Sequence, residues 1–94
     1  MEVIKNTQKI EAWQWKGMSI EAARVFIKEN NLDKNITMGS ARGIAGLVVP
    51  IPFGAILVKK NHWLLRGNNG IYTTCSEEMF RKEYSEVGRK TKEN

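Results

Sequence analysis

From Gly46 to Tyr84 the chain reads GLVVPIPFGAILVKKNHWLLRGNNGIYTTCSEEMFRKEY, a series of short β-prone runs cut by sharp turn signals and closed by a marked helix start. Apolar and β-branched runs of this length, bounded by Gly, Pro and Asn, predict strands joined by tight connections. Leu47-Val48-Val49 and Ala55 to Val58 are two such runs, with Pro50-Ile51-Pro52-Phe53-Gly54 between them. Each proline removes a ladder donor, so this segment predicts a bent edge strand or a wide connection rather than a central strand. Lys59-Lys60-Asn61 predicts a tight turn, His62 to Arg66 a strand, and Gly67-Asn68-Asn69-Gly70 a second turn. Asn and Gly reach positive φ cheaply, which makes this second turn a strong hairpin signal before the return strand Ile71 to Cys75. Ser76 with Glu77 and Glu78 then opens a helix to about Glu86, with Met79, Phe80 and Tyr84 as its buried contacts.

The first half supplies the rest. Thr7 to Lys16 alternates, placing Ile10 and Ala12 on one face and Glu11, Trp13 and Trp15 on the other, the period of a strand that Gly17 ends. Ser19 caps a helix running to about Asn30, with Ile20, Ala23, Phe26 and Ile27 as its apolar stripe and Asn30-Asn31 as its stop. Asn35 to Met38 reads as a short strand, and Gly39-Ser40-Ala41-Arg42-Gly43 as a loop. The order of elements predicts an α+β fold: a small antiparallel sheet of five or six strands with two helices on one side.

Ninety-four residues suffice for one domain, expected over 1–87, followed by a charged flexible tail at 88–94. Hydrophobic residues at 41% and charged residues at 27% fit a folded domain rather than a disordered chain. The apolar run from Ile44 to Leu57 is too short and too interrupted to span a bilayer, and MEVIKN lacks the regions of a signal peptide. A cytoplasmic protein is expected. Cys75 is the single cysteine, so an internal disulfide is excluded and a small buried hydrophobe is expected. The net charge of +5 favours an anionic partner, although Arg89, Lys90 and Lys92 of the tail contribute three of the fifteen basic charges.

The strand Ile10-Glu11-Ala12-Trp13-Gln14-Trp15 resembles the opening "I-E-A-aromatic-Q-W" of a widespread group of small proteins of tailed phages and prophages. Gly54, Asn61 to Gly67, Gly70-Ile71-Tyr72, Cys75, Phe80 and Tyr84 resemble the C-terminal half of the same group. Lys60-Asn61-His62 stands where those relatives have Pro-Gly-Asp, a departure at the turn. The resemblance implies a phage origin, with the host cell cytoplasm as location, and a small α+β domain with no defined chemistry.

Three features carry functional expectations. The Gly39–Gly43 loop offers backbone N–H groups, the Ser40 hydroxyl, Arg42 and Gly43 to a phosphate, although it has no Walker pattern. Trp13 and Trp15 share a strand face on which a base can stack, the alternative being core packing. His62 and Arg66 share a face near Lys59 and Lys60, and protonated His62 would attract an anion. Neither clustered carboxylates nor paired histidines of a phosphoesterase type are present, so catalysis, metals and cofactors are not expected. The expectation is a phage accessory protein of the host-defence-evasion type that sequesters a small phosphorylated or nucleotide-like ligand, as a homo-oligomer with the site between protomers. The alternative is a protein-binding inhibitor of a host factor anchored by Leu47–Phe53. Nucleic-acid binding through Lys59, Lys60, Arg66 and the tail ranks last.

Overall fold

The computed structural model describes residues 1–17 and 19–86, and the expected tail at 88–94 lies outside them. The fold is α+β: strands β1 (Glu2–Lys5) and β2 (Gln8–Gln14), helix α1 (Ile20–Glu29), strands β3 (Thr37–Ala41), β4 (Ile44–Ile51), β5 (Gly54–Lys59), β6 (Trp63–Arg66) and β7 (Tyr72–Cys75), helix α2 (Glu77–Glu83), and strand β8 (Ser85–Glu86). All pairing is antiparallel, in two sheets rather than one: β7-β6-β2-β1-β8 and β3-β4-β5.

Both helix starts follow from their caps. The Ser19 Oγ accepts the Ala22 N–H at 3.2 Å, and the Ser76 Oγ accepts the Met79 N–H at 3.2 Å, each satisfying one orphan donor of a first turn. α2 stops at Glu83, short of the expected Glu86. Ser85 and Glu86 instead pair with Ile4 and Val3, so the chain exchanges helix bonds for a place at the edge of the large sheet. β1 itself went unread in the sequence, and Thr7, expected in a strand, sits with Asn6 in the turn joining β1 to β2. Both turn residues hold positive φ, 53° and 64°.

The two faces of the large sheet explain the alternation in β2 and β6. Ala12, Trp63 and Leu65 pack with Val3 and Phe80 beneath α2. Trp15, Leu64 and Tyr72 face the other way and join Ala23, Leu32, Ile36, Leu47, Val49 and Val58 in the larger core, with Trp13, Phe26 and Ile27 at its margin. The helices therefore cover opposite faces of the large sheet, not one side. Two expected core residues lie outside: Ile20 begins α1 at 59% exposure, and Met79 is 44% exposed on α2.

The small sheet corrects two further expectations. Gly39, Ser40 and Ala41 belong to β3, and only Arg42 and Gly43 form the connection to β4, with φ of 53° and 79°. Two successive positive-φ residues between facing strands make the tight turn whose twist suits a hairpin. Pro50 lies in β4, the central strand, opposite Ala55. It is tolerated because β3 pairs only up to Val48, leaving no neighbour at Pro50 on that side. The two-residue Pro52-Phe53 connection makes Ile51 and Gly54 the hydrogen-bonded pair and Pro50 and Ala55 a non-bonded one. The nitrogen of Pro50 thus points to the vacant side, and no ladder bond is lost.

Candidate functional site

Arg66 sits at the end of β6, where cross-strand pairing sets Glu11 on one side and Tyr72 on the other. Its Nε and Nη2 both donate to Glu11 Oε1, at 3.0 and 2.9 Å. Its Nη1 donates to the Tyr72 hydroxyl at 3.1 Å and to the Asn31 carbonyl at 3.5 Å. The guanidinium also lies 5.0 Å from the Trp13 ring centroid and 5.7 Å from that of Tyr72. Burial opposes the charge, but the bonds to Glu11 and Tyr72 outweigh it and raise the pKa above the ordinary guanidinium value. The Tyr72 oxygen accepts a second bond, from the Asp33 N–H at 3.0 Å, which ties the segment after α1 to the large sheet. Arg66 is a clamp between elements. Its fork is occupied from within, which corrects the expectation that it presents a free guanidinium to an anion.

The other expected ligand residues do not converge on it. Trp13 is half-buried beside Arg66, whereas Trp15 is 2% exposed and meets Phe26 edge to face at 5.4 Å. Trp15 is a core residue, and no ring face is left open for a base. His62 is half-buried; its carbonyl accepts the Trp15 N–H at 2.9 Å, while its own N–H donates to Lys59 O at 3.0 Å. Among the described residues its imidazole has no ion-pair partner. Ser40, Arg42 and Gly43 are exposed in the β3–β4 hairpin of the other sheet. Arg42 and Gly43 are both left-handed, and Gly39 is paired to Gly46, so the segment does not form the expected phosphate-receiving loop.

A second polar centre, which the sequence reading assigned only to helix-start charge, lies under α2. Glu77 Oε1 accepts the Trp63 Nε1–H at 2.6 Å and the Gln14 amide at 3.3 Å, while Oε2 takes Arg81 Nε at 2.7 Å. The Trp63 bond and then Arg81 hold the carboxyl below its ordinary pKa. The Trp63 ring stacks on Phe80 at 3.7 Å and 7°, and Phe80 on Tyr84 at 5.3 Å and 16°. This stack, with Val3, Glu77 and Arg81, borders an open groove of about 420 Å³. Glu77 is already bonded there to Trp63, Gln14 and Arg81, so its carboxylate is committed to holding α2 on the sheet. Cys75 is half-buried on the same side of the sheet, and burial pushes its thiol pKa up, away from reactivity.

What remains open to partners is the outer side of the small sheet. Leu47, Val49 and Val58 are fully buried on its inner side, so Leu47 and Val49 of the expected Leu47–Phe53 anchor belong to the core. The outward side carries the pairs Val48–Leu57 and Pro50–Ala55, with Ile44 beyond them at 47% exposure. At its end the Pro52-Phe53 turn carries the Phe53 ring wholly into solvent. Pro52 fixes its own φ, so the turn presents the ring with reduced backbone freedom.

Among the described residues no group of three or more His, Cys, Asp or Glu side chains is placed to hold a metal ion, and no helix is long and apolar enough to cross a membrane. Compared with models of protein families, with curated proteins and with solved structures, the chain has no match.

Proposed function

We propose that this chain is a non-catalytic accessory protein that acts by binding another protein through the outer side of the small sheet, with Phe53 as the anchor. The observation that carries this reading is the fully exposed Phe53 on a proline-braced turn. A rigid aromatic in water is a costly surface for a monomer and a typical central contact of an interface. The paired Val48, Leu57, Pro50 and Ala55 extend the apolar surface away from that ring. Among these outward pairs only Lys59, opposite Gly46, brings a charge. The resemblance to tailed-phage proteins makes a host factor the partner class, and occupation of its functional surface the mode of action.

Sequestration of a small phosphorylated or nucleotide-like ligand is the weaker reading. Of the residues expected to carry it, Arg66 is clamped, Trp15 is core, and Ser40 and Arg42 lie in the β3–β4 hairpin of the other sheet. The two readings separate in one experiment. A photo-crosslinking amino acid at position 53, used in infected or host cells, yields a discrete adduct with one host protein. That protein, purified, binds the wild-type chain and loses roughly 30-fold in affinity with Phe53→Ala, the equivalent of about 2 kcal/mol for an aromatic anchor. Undiminished binding after Phe53→Ala, or a small anionic ligand seen in native mass spectrometry and lost with Arg42→Ala, overturns the proposal.

A further inference from the structure

β3 is an edge strand that α1 contacts but whose own residues carry none of the usual guards. Its sequence, Thr37-Met38-Gly39-Ser40-Ala41, has no charge and no proline, and five consecutive pairs with β4 leave no bulge to twist it away. Natural edges are normally protected by such devices because their unpaired N–H and C=O groups are a template for another strand. The remaining edges of the two sheets differ: β5 and β7 contact each other, and β8 has two residues, one of them Glu86.

The hairpin fixes which groups of β3 are free. With a two-residue turn at Arg42-Gly43, Ala41 and Ile44 form a hydrogen-bonded pair, and so do Gly39 with Gly46 and Thr37 with Val48. Met38 and Ser40 therefore direct their N–H and C=O groups away from β4. Among the described residues, none of those groups has a backbone or side-chain partner.

We infer that β3 pairs antiparallel with β3 of a second copy of this chain, on a two-fold axis at Gly39, joining two small sheets into one of six strands. The register is self-consistent. Met38 of each copy faces Ser40 of the other, and both present outward N–H and C=O groups, giving four ladder bonds. Gly39 meets its own counterpart in a non-hydrogen-bonded pair, where Cα atoms approach to about 4.5 Å and side chains crowd most. The residue at that point has no side chain. Alternation keeps Thr37, Gly39 and Ala41 on the outer side in both copies, so the apolar outer surfaces become continuous. A homotypic pair opposes each side chain to one from the same five residues, and the absence of charge in β3 removes like-charge repulsion. A segment of a different protein has no reason to match this dyad. The inference does not depend on the identity of the host partner proposed above. Five residues make a small interface, so association is weak and concentration-dependent, and its test must trap it.

The test is disulfide trapping in a Cys75→Ser background. In the proposed register residue 37 of one copy lies opposite residue 41 of the other, close enough for a disulfide. Two copies of residue 37, or two of residue 41, lie about 13 Å apart along the strands. Thr37→Cys/Ala41→Cys gives a covalent dimer on mild oxidation, and either single variant gives several-fold less. Adding Ser40→Pro to the double variant removes an outward N–H without touching the bonds to β4, and abolishes the link while the circular dichroism spectrum stays native. Equal linking by the single variants, no link in the double variant, or a link that survives Ser40→Pro overturns the inference. If Ser40→Pro fails to fold, the comparison of double with single variants decides alone.

Discussion

Replacing Arg66 by Ala discriminates a clamp from a ligand-binding arginine, because only the clamp predicts a large loss of stability. The side chain makes a forked pair with Glu11, and the two side chains are 23% and 52% exposed. Screening limits such a pair to about 0.5–1 kcal/mol. Its bond to the hydroxyl of Tyr72, a residue only 7% exposed, contributes about 1 kcal/mol. The cation–π contact with Trp13 adds about 0.5 kcal/mol, and the aliphatic stem packs besides. These terms share one side chain and do not add fully, so the expected loss is about 2 kcal/mol, or roughly 8–16 °C in Tm for a domain of this size. Urea denaturation followed by tryptophan fluorescence measures it. Arg66→Lys, which keeps the charge but not the fork, recovers less than half. A double-mutant cycle with Glu11→Ala isolates a coupling of about 0.5–1 kcal/mol. A loss below about 0.5 kcal/mol for Arg66→Ala, the range of an ordinary surface substitution, would refute the clamp and return Arg66 to the pool of ligand residues.

Three further outcomes follow from local geometry. Gly46→Ala drives a Cβ into the backbone oxygen of Val58, and backbone cannot swing aside, so it costs about 2 kcal/mol or more. Gly43→Ala meets open space and costs only the strain of its positive φ, about 1 kcal/mol, so the order of the two in a denaturation series is the check. Thr7 holds φ at 64°, a conformation that penalises a β-branched residue, and Thr7→Gly raises stability by about 1 kcal/mol in the same assay. Glu77 has a folded pKa below its unfolded one, so its charge stabilises fully above the usual carboxylate range, and that contribution disappears as pH falls through the depressed value. Glu77→Gln is therefore less stable than wild type at pH 7, with the gap closing in acid; a pH-independent gap contradicts the assignment.

Local signals were legible where a single residue decides the backbone. Ser19 and Ser76 announce both helix starts, and the alternation of Ile10 to Trp15 and of His62 to Arg66 assigns each side chain to its sheet face. What stayed hidden depends on register. Glu11 is far in the chain from the Arg66–Tyr72 hairpin and meets it only because β2 and β6 align as they do, and Glu77 finds Trp63 only across the strand–helix packing. Pro50 misled for the same reason: whether a proline harms a strand depends on where its neighbour ends. The Gly39–Gly43 segment misled because glycine serves a hairpin turn and an anion loop equally well, and only the paired strands on either side distinguish them.

The route between β2 and β6 begins and ends at one place. Trp15 donates its N–H to the His62 carbonyl and accepts the Asn61 N–H at 2.6 Å. α1 and the whole small sheet thus form an excursion that leaves the large sheet and returns to the same point. Such an excursion is modular. A segment that replaces residues 16–60 must close at Trp15 and Asn61 and cover Trp13, Leu64 and Tyr72. The surface proposed to meet a partner lies wholly within the part that can change.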